Sequence, residues 1–103
     1  IHDHRWLRSD DALRAQRAGE LKLAAPTFAL TTRLAEFPTV EAAMTGVASW
    51  SCERLLGHIH EAPDGIVSVY AEDVAYGDGR LDRDGPRHRL WMLDSGWRYE
   101  RAF

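Results

Sequence analysis

Arg5-Trp6-Leu7-Arg8-Ser9-Asp10-Asp11-Ala12-Leu13 opens, and Ala25-Pro26-Thr27-Phe28-Ala29-Leu30-Thr31-Thr32-Arg33-Leu34-Ala35-Glu36-Phe37 closes, the stretch on which the rest of the chain hangs. Ile1 to Leu7 reads as a short strand or an extended approach to a helix. Ser9 or Asp10 offers a capping oxygen, and Asp10 and Asp11 place negative charge where the first helical N–H groups are unpaired. Ala12 to Ala18 favour helix and Gly19 terminates it, which predicts a helix near 10–19. Its thin apolar face of Ala12, Leu13 and Ala15 suits close packing through small side chains. Pro26 fits the first turn of a second helix, because its missing N–H would be unpaired there anyway. Thr27, Leu30, Leu34 and Phe37 recur at helical spacing, which predicts a helix over 26–37 ended by Pro38. Thr39 can cap a third helix near 39–48, with Val40, Ala43, Met44 and Val47 on its apolar side and Met44 as core filler.

Beyond about residue 50 the period changes to two. Arg54 to His60 reads as a strand, Pro63-Asp64-Gly65 as a turn, and Ile66-Val67-Ser68-Val69-Tyr70 as a β-branched partner strand, giving a hairpin near 54–70. Glu72 to Gly85 carries little periodicity. A loop of that length in a small domain is expected to be held by a partner or to contact a ligand. A second hairpin near 87–102 joins Arg87–Leu93 to Trp97–Arg101 through Asp94-Ser95-Gly96. With a three-residue loop, Leu93 opposes Trp97, Trp91 opposes Tyr99 and Arg89 opposes Arg101, so the large rings share a face. A two-residue loop at Ser95-Gly96 would instead set Trp91 against Glu100. The longer loop is favoured because it gathers the aromatic side chains. The fold class expected is α+β, with three N-terminal helices followed by antiparallel hairpins.

At 103 residues the chain is expected to be one small unit over 1–103, and 45% hydrophobic content supplies a core. A net charge of −3 with mixed signs argues against nucleic-acid binding, which wants a gathered basic face. The basic run Arg80 to Arg89, interrupted by Asp82 and Asp84, reads as a solvated loop. Cys52 is the only cysteine, so no internal disulfide can form. No apolar run is long enough for a membrane helix, and a cytoplasmic protein is the default expectation. The first residue is Ile1 rather than methionine, so a processed product, a fragment, or the remainder of something longer is expected.

Candidate chemistry is sparse. His2 and His4, and His58 and His60, lie two apart and share a side in a strand, but zinc needs three or four ligands and neither pair is completed; both are rejected as metal ligands. Cys52 is expected to be buried or inert rather than a nucleophile paired with His58 or His60. Ser51 and Ser68 lack a nucleophile-elbow motif, and no phosphate-binding glycine loop is present. Glu72 and Asp73, beside Tyr70 and Tyr76, read as solvated loop carboxylates able to touch a cation or substrate. The residues retained as substrate- or partner-contact candidates are Trp91, Tyr99, Trp97, Glu72, Asp73, Arg87 and Arg89.

Three pieces resemble the C-terminal part of a bacterial Nudix hydrolase of the subgroup related to peroxisomal coenzyme A diphosphatases. They are Arg5 to Leu13, then Gly19-Glu20-Leu21-Lys22-Leu23-Ala24-Ala25-Pro26-Thr27, and finally Gly85-Pro86-Arg87-His88-Arg89-Leu90-Trp91-Met92-Leu93 with Gly96-Trp97-Arg98-Tyr99-Glu100-Arg101. The resemblance implies a metal-dependent hydrolase of nucleoside-diphosphate-linked substrates, coenzyme A derivatives among them. In that family paired glutamates on one helix hold magnesium or manganese at the pyrophosphate. Glutamates here stand isolated at 20, 36, 41, 53, 61, 72 and 100, so no catalytic carboxylate carries over. Ala25 stands where many relatives have a second proline. The resemblance therefore implies a non-catalytic segment that binds no cofactor itself. Mg or Mn is expected only in a missing N-terminal catalytic part, and the partners expected are that part or a second copy in a homodimer, with no nucleic acid and no membrane. The competing expectation is an independent interaction or dimerisation module.

Overall fold

The computed structural model describes residues 6–103, and the chain divides after Cys52 into two compact units, helical in the first and a sheet in the second. His2, His4 and most of the approach over Ile1–Leu7 lie outside the described residues. The α+β class holds: three helices precede a four-stranded antiparallel sheet.

The first helix, α1, spans Ser9–Arg17. Ser9 is already helical and Arg8 holds the N-cap position with no side-chain cap, so neither Ser9 nor Asp10 is the capping residue; Asp10, inside the first turn, accepts the Asp11 N–H at 3.1 Å, and both acids supply favourable first-turn charge. Gly19 does end the helix. Its φ of +78° lets the Glu20 N–H reach the Ala15 carbonyl and its own N–H reach Gln16, a Schellman closure. Ala15 is the buried residue of α1, consistent with close packing against α2 through a small side chain.

Helix α2 spans Ala25–Leu34, with Pro26 in its first turn. It buries Phe28 and Ala29 rather than the stripe read from Thr27, Leu30, Leu34 and Phe37, and Leu30 is 48% exposed. The helix stops short of Pro38: Glu36 and Phe37 turn back to carbonyls three residues earlier, on Arg33 and Leu34. Trp50 is enclosed by Arg33, 3.8 Å above its ring, and by Phe37 at 5.9 Å. Helix α3 spans Val40–Val47, and Thr39 caps it by accepting the Ala42 N–H at 3.1 Å. Its apolar stripe is outward, with Val40 79% and Met44 72% exposed, so Met44 is not core filler.

The second unit is a meander of β1 (His58–Ala62), β2 (Gly65–Val69), β3 (Arg87–Leu93) and β4 (Gly96–Ala102), hydrogen-bonded in that order. The first strand begins at His58 rather than Arg54, and a side chain on Gly57, the residue before it, would collide with Ser68. Both hairpins use two-residue turns, Pro63-Asp64 and Asp94-Ser95, and each following strand starts on a glycine of positive φ, Gly65 at +151° and Gly96 at +138°. Asp64 joins the two turns by accepting the N–H groups of Asp94 and Ser95.

This overturns the expected register of the second hairpin. Leu93 opposes Gly96, Met92 opposes Trp97, Trp91 opposes Arg98 and Leu90 opposes Tyr99. Both loops weighed from the sequence are therefore wrong, and Trp91 and Tyr99 point to opposite faces. Residues 70–86 form a run of turns, tied to the start of β3 by the Val74 N–H on the Pro86 carbonyl at 2.8 Å. Ala75, Tyr76 and Leu81 from this run pack on Val67, Val69 and Trp91, which makes the core of the sheet unit.

Candidate functional site

Two consecutive acids in the loop meet two consecutive basic residues at the start of β3. Because successive strand residues alternate faces, His88 and Arg89 point oppositely. Each takes one acid. Asp73 grips Arg89 with two bonds, Nε to Oδ2 at 2.7 Å and an Nη to Oδ1 at 2.8 Å, with both side chains fully buried. Asp73 also accepts the N–H groups of Ala75 and His88 at 2.8 Å each, and Arg89 donates to the Leu81 carbonyl at 3.1 Å. Burial alone would push the Asp73 carboxyl up, but the Arg89 hydrogen bond, the two N–H donors and the Arg89 charge together hold it below its usual range.

On the other face Glu72 lies 2.6 Å from His88 Nδ1, and Tyr99 Oη lies 2.6 Å from His88 Nε2. A carboxylate at Nδ1 assigns the proton there, leaving Nε2 to accept the Tyr99 hydroxyl. The His88 side chain has no exposure; Tyr70 and Phe103 lie over it at 4.8 Å each. The hydrogen bond from His88 is the main cause that lowers the Glu72 carboxyl. Near this network, Arg101 is tied to Glu53.

A third group surrounds Trp91. Its indole N–H donates to Glu100 at 2.5 Å, and Arg87 and Arg98 each approach Glu100 at 3.4 Å. The Arg89 and Arg98 guanidinium carbons stand 5.7 and 5.5 Å from the Trp91 ring. Trp97, half-buried opposite Met92, lies on the Tyr99 face.

The seven residues singled out from the sequence therefore divide among the Asp73–Arg89 clamp, the Glu72–His88–Tyr99 chain, the Arg87–Trp91 cluster and Trp97; they do not line one cleft. Glu72 and Asp73 are engaged rather than solvated, and the basic run ends in a fully buried arginine rather than lying wholly in solvent. The loop is held by its own sheet. His88 and Glu100, central to two of the groups, escaped the sequence reading. The signal available was the pairing of an acidic doublet with a basic one.

His58 and His60 lie on the same side of β1 as expected. His58 stacks on Tyr76 at 4.1 Å and its Nδ1 faces the Tyr76 carbonyl at 3.1 Å. His60 packs on Gly79, and its Nε2 is buried without a hydrogen-bond partner. Among the described residues no three His, Cys, Asp or Glu side chains are grouped to hold a metal, and no helix is long and apolar enough to cross a membrane. Cys52 is exposed, not buried.

Compared with family models, with curated proteins and with solved structures, the chain matches none.

Proposed function

We propose that this chain is the non-catalytic C-terminal segment of a Nudix-type hydrolase of nucleoside-diphosphate-linked substrates, coenzyme A derivatives being one class to assay. The metal-binding carboxylates belong to a preceding catalytic portion of the longer, cytoplasmic protein, and this segment braces that portion and walls part of its cleft. Three resembling sequence pieces support the family assignment. The observation that carries the non-catalytic reading is the engagement of four of the sheet unit's acids: Glu53 holds Arg101, Glu72 holds His88, Asp73 holds Arg89 and Glu100 holds Trp91 and Arg87. Carboxylates committed to basic partners brace a fold; they do not gather round a hard cation, which takes several oxygens at once.

The test is a pair of assays with Mg or Mn on nucleoside-diphosphate-linked substrates, coenzyme A included. A longer protein that includes the coding region upstream of Ile1 is expected to turn over, and the 103-residue chain alone is not. Turnover by the chain alone, or an upstream region with no clustered acidic helix, rejects the reading.

A further inference from the structure

We propose that Arg87 and Arg98 form an anion site on the sheet unit that takes a diphosphate group. The pairing of β3 with β4 sets Trp91 opposite Arg98 and Arg89 opposite Glu100, so strand alternation puts Arg87, Trp91, Arg98 and Glu100 on one face. Arg89, on the same face, is already committed to its buried clamp with Asp73. The two outer arginines are not committed. The Arg98 side chain is 65% exposed and that of Arg87 34%. Among the described residues each has one hydrogen bond, to Glu100 at 3.4 Å.

Those two bonds are long. A guanidinium and a carboxylate free to approach close to about 2.7–2.9 Å. Glu100 is held by a third donor instead, its Oε1 receiving the Trp91 indole N–H at 2.5 Å. Arg98 meets that same oxygen and Arg87 the other, so one carboxylate stands between two guanidinium groups and closes on neither. Each guanidinium has five N–H donors, most of them left without a protein acceptor here. The Trp91 ring steadies Arg98, whose guanidinium carbon lies 5.5 Å from the ring centre. Two exposed cations flanking one fixed carboxylate suit an anion with oxygens facing both ways. A diphosphate offers one phosphoryl group to each planar fork, which a single phosphate does not. Glu100 occupies the middle of the site and competes with the ligand. The anion site uses only the residues of β3 and β4; its place in a substrate cleft rests on the Nudix-type reading.

Isothermal titration of the 103-residue chain with pyrophosphate, ADP and inorganic phosphate, without divalent cations, tests the site. Pyrophosphate and ADP should each bind once per chain with a dissociation constant below about 1 mM, weakened by salt, and phosphate about tenfold more weakly or less. Arg98→Gln and Arg87→Gln should each weaken pyrophosphate by about tenfold, and Arg98→Lys, which keeps the charge but not the fork, by less. Arg17→Gln makes the same charge change at an exposed position in α1 and should leave the affinity unchanged. Glu100→Gln keeps an oxygen for the Trp91 N–H and removes the competing charge, so it should tighten binding severalfold. Circular dichroism checks that this variant folds; if it does not, the Arg98→Gln against Arg17→Gln comparison decides. No binding of pyrophosphate, phosphate binding as well as pyrophosphate, equal losses in Arg98→Gln and Arg17→Gln, or weaker binding by folded Glu100→Gln overturns the site. Any of these leaves the non-catalytic reading standing, whereas turnover by the chain alone rejects that reading and leaves the site.

Discussion

At the scale of single residues the sheet unit depends on Asp73. Breaking a buried ion pair from one side leaves an uncompensated charge and costs about 3–5 kcal/mol. The two sides are unequal here. Arg89→Met leaves Asp73 with the Ala75 and His88 N–H donors, whereas Asp73→Leu strands a buried guanidinium and both of those N–H groups. Arg89→Met is therefore expected to cost about 3 kcal/mol, and Asp73→Leu more. Urea midpoints followed by tryptophan fluorescence rank the two, and the reverse order would refute the capping role of Asp73. Acid titrates the same contacts. Asp73 and Glu72 both have lowered values in the folded chain. On acidification the unfolded chain takes up their protons first, near pH 4. Their contribution is therefore complete above that region and is lost as pH falls through the folded values. The share of stability that these two acids contribute should be intact above about pH 5 and decline below about 4. Glu72→Gln should flatten part of that decline, and an unchanged slope would show that Glu72 contributes none of it.

The register of the strands is decided by the two turn glycines. Gly65 and Gly96 both have positive φ, so alanine at either is strained by about 1–3 kcal/mol. Their surroundings differ. A Cβ on Gly96 meets nothing within 4 Å, while one on Gly65 drives into the Met92 carbonyl and the Leu93 backbone of β3. Gly65→Ala should cost distinctly more than Gly96→Ala in thermal melts; equal losses would mean that β2 can shift away from β3 at no cost. The same glycines explain what the sequence concealed. Asp94-Ser95-Gly96 suits a three-residue loop closing on a left-handed glycine as well as a two-residue turn whose glycine opens the next strand. Only the contact with Asp64, thirty-one residues away along the chain from Ser95, distinguishes them. Local chemistry was legible where it was sufficient: Thr39 caps α3, Gly19 closes α1, Pro26 opens α2 and Pro63-Asp64 turns the first hairpin. Which side of a helix is buried depends on what lies beside it, so α2 buries Phe28 and Ala29 although its neighbours keep the same period.

For the molecule as a whole, charge pairing across long separations was the least legible feature and the most consequential. Glu72 and Asp73 look like free loop acids until β3 brings His88 and Arg89 to them, which requires knowing that residues 70–86 turn back over the sheet. The engagement has a consequence for metal binding. Magnesium or manganese needs several oxygens in one place, and recruiting Asp73 would first break its buried pair with Arg89. Glu53 and Glu100 would likewise have to leave Arg101 and the Trp91–Arg87 cluster. Neither cation is therefore expected to bind the 103-residue chain stoichiometrically at neutral pH, so isothermal titration should give only dilution heats. A cation at about 100 times its dissociation constant would add about 2.7 kcal/mol, enough to raise the melting temperature by several degrees. A rise of that size, saturating at one ion per chain, would mean that these acids serve a metal as well as the fold, and the non-catalytic reading of this segment would fail.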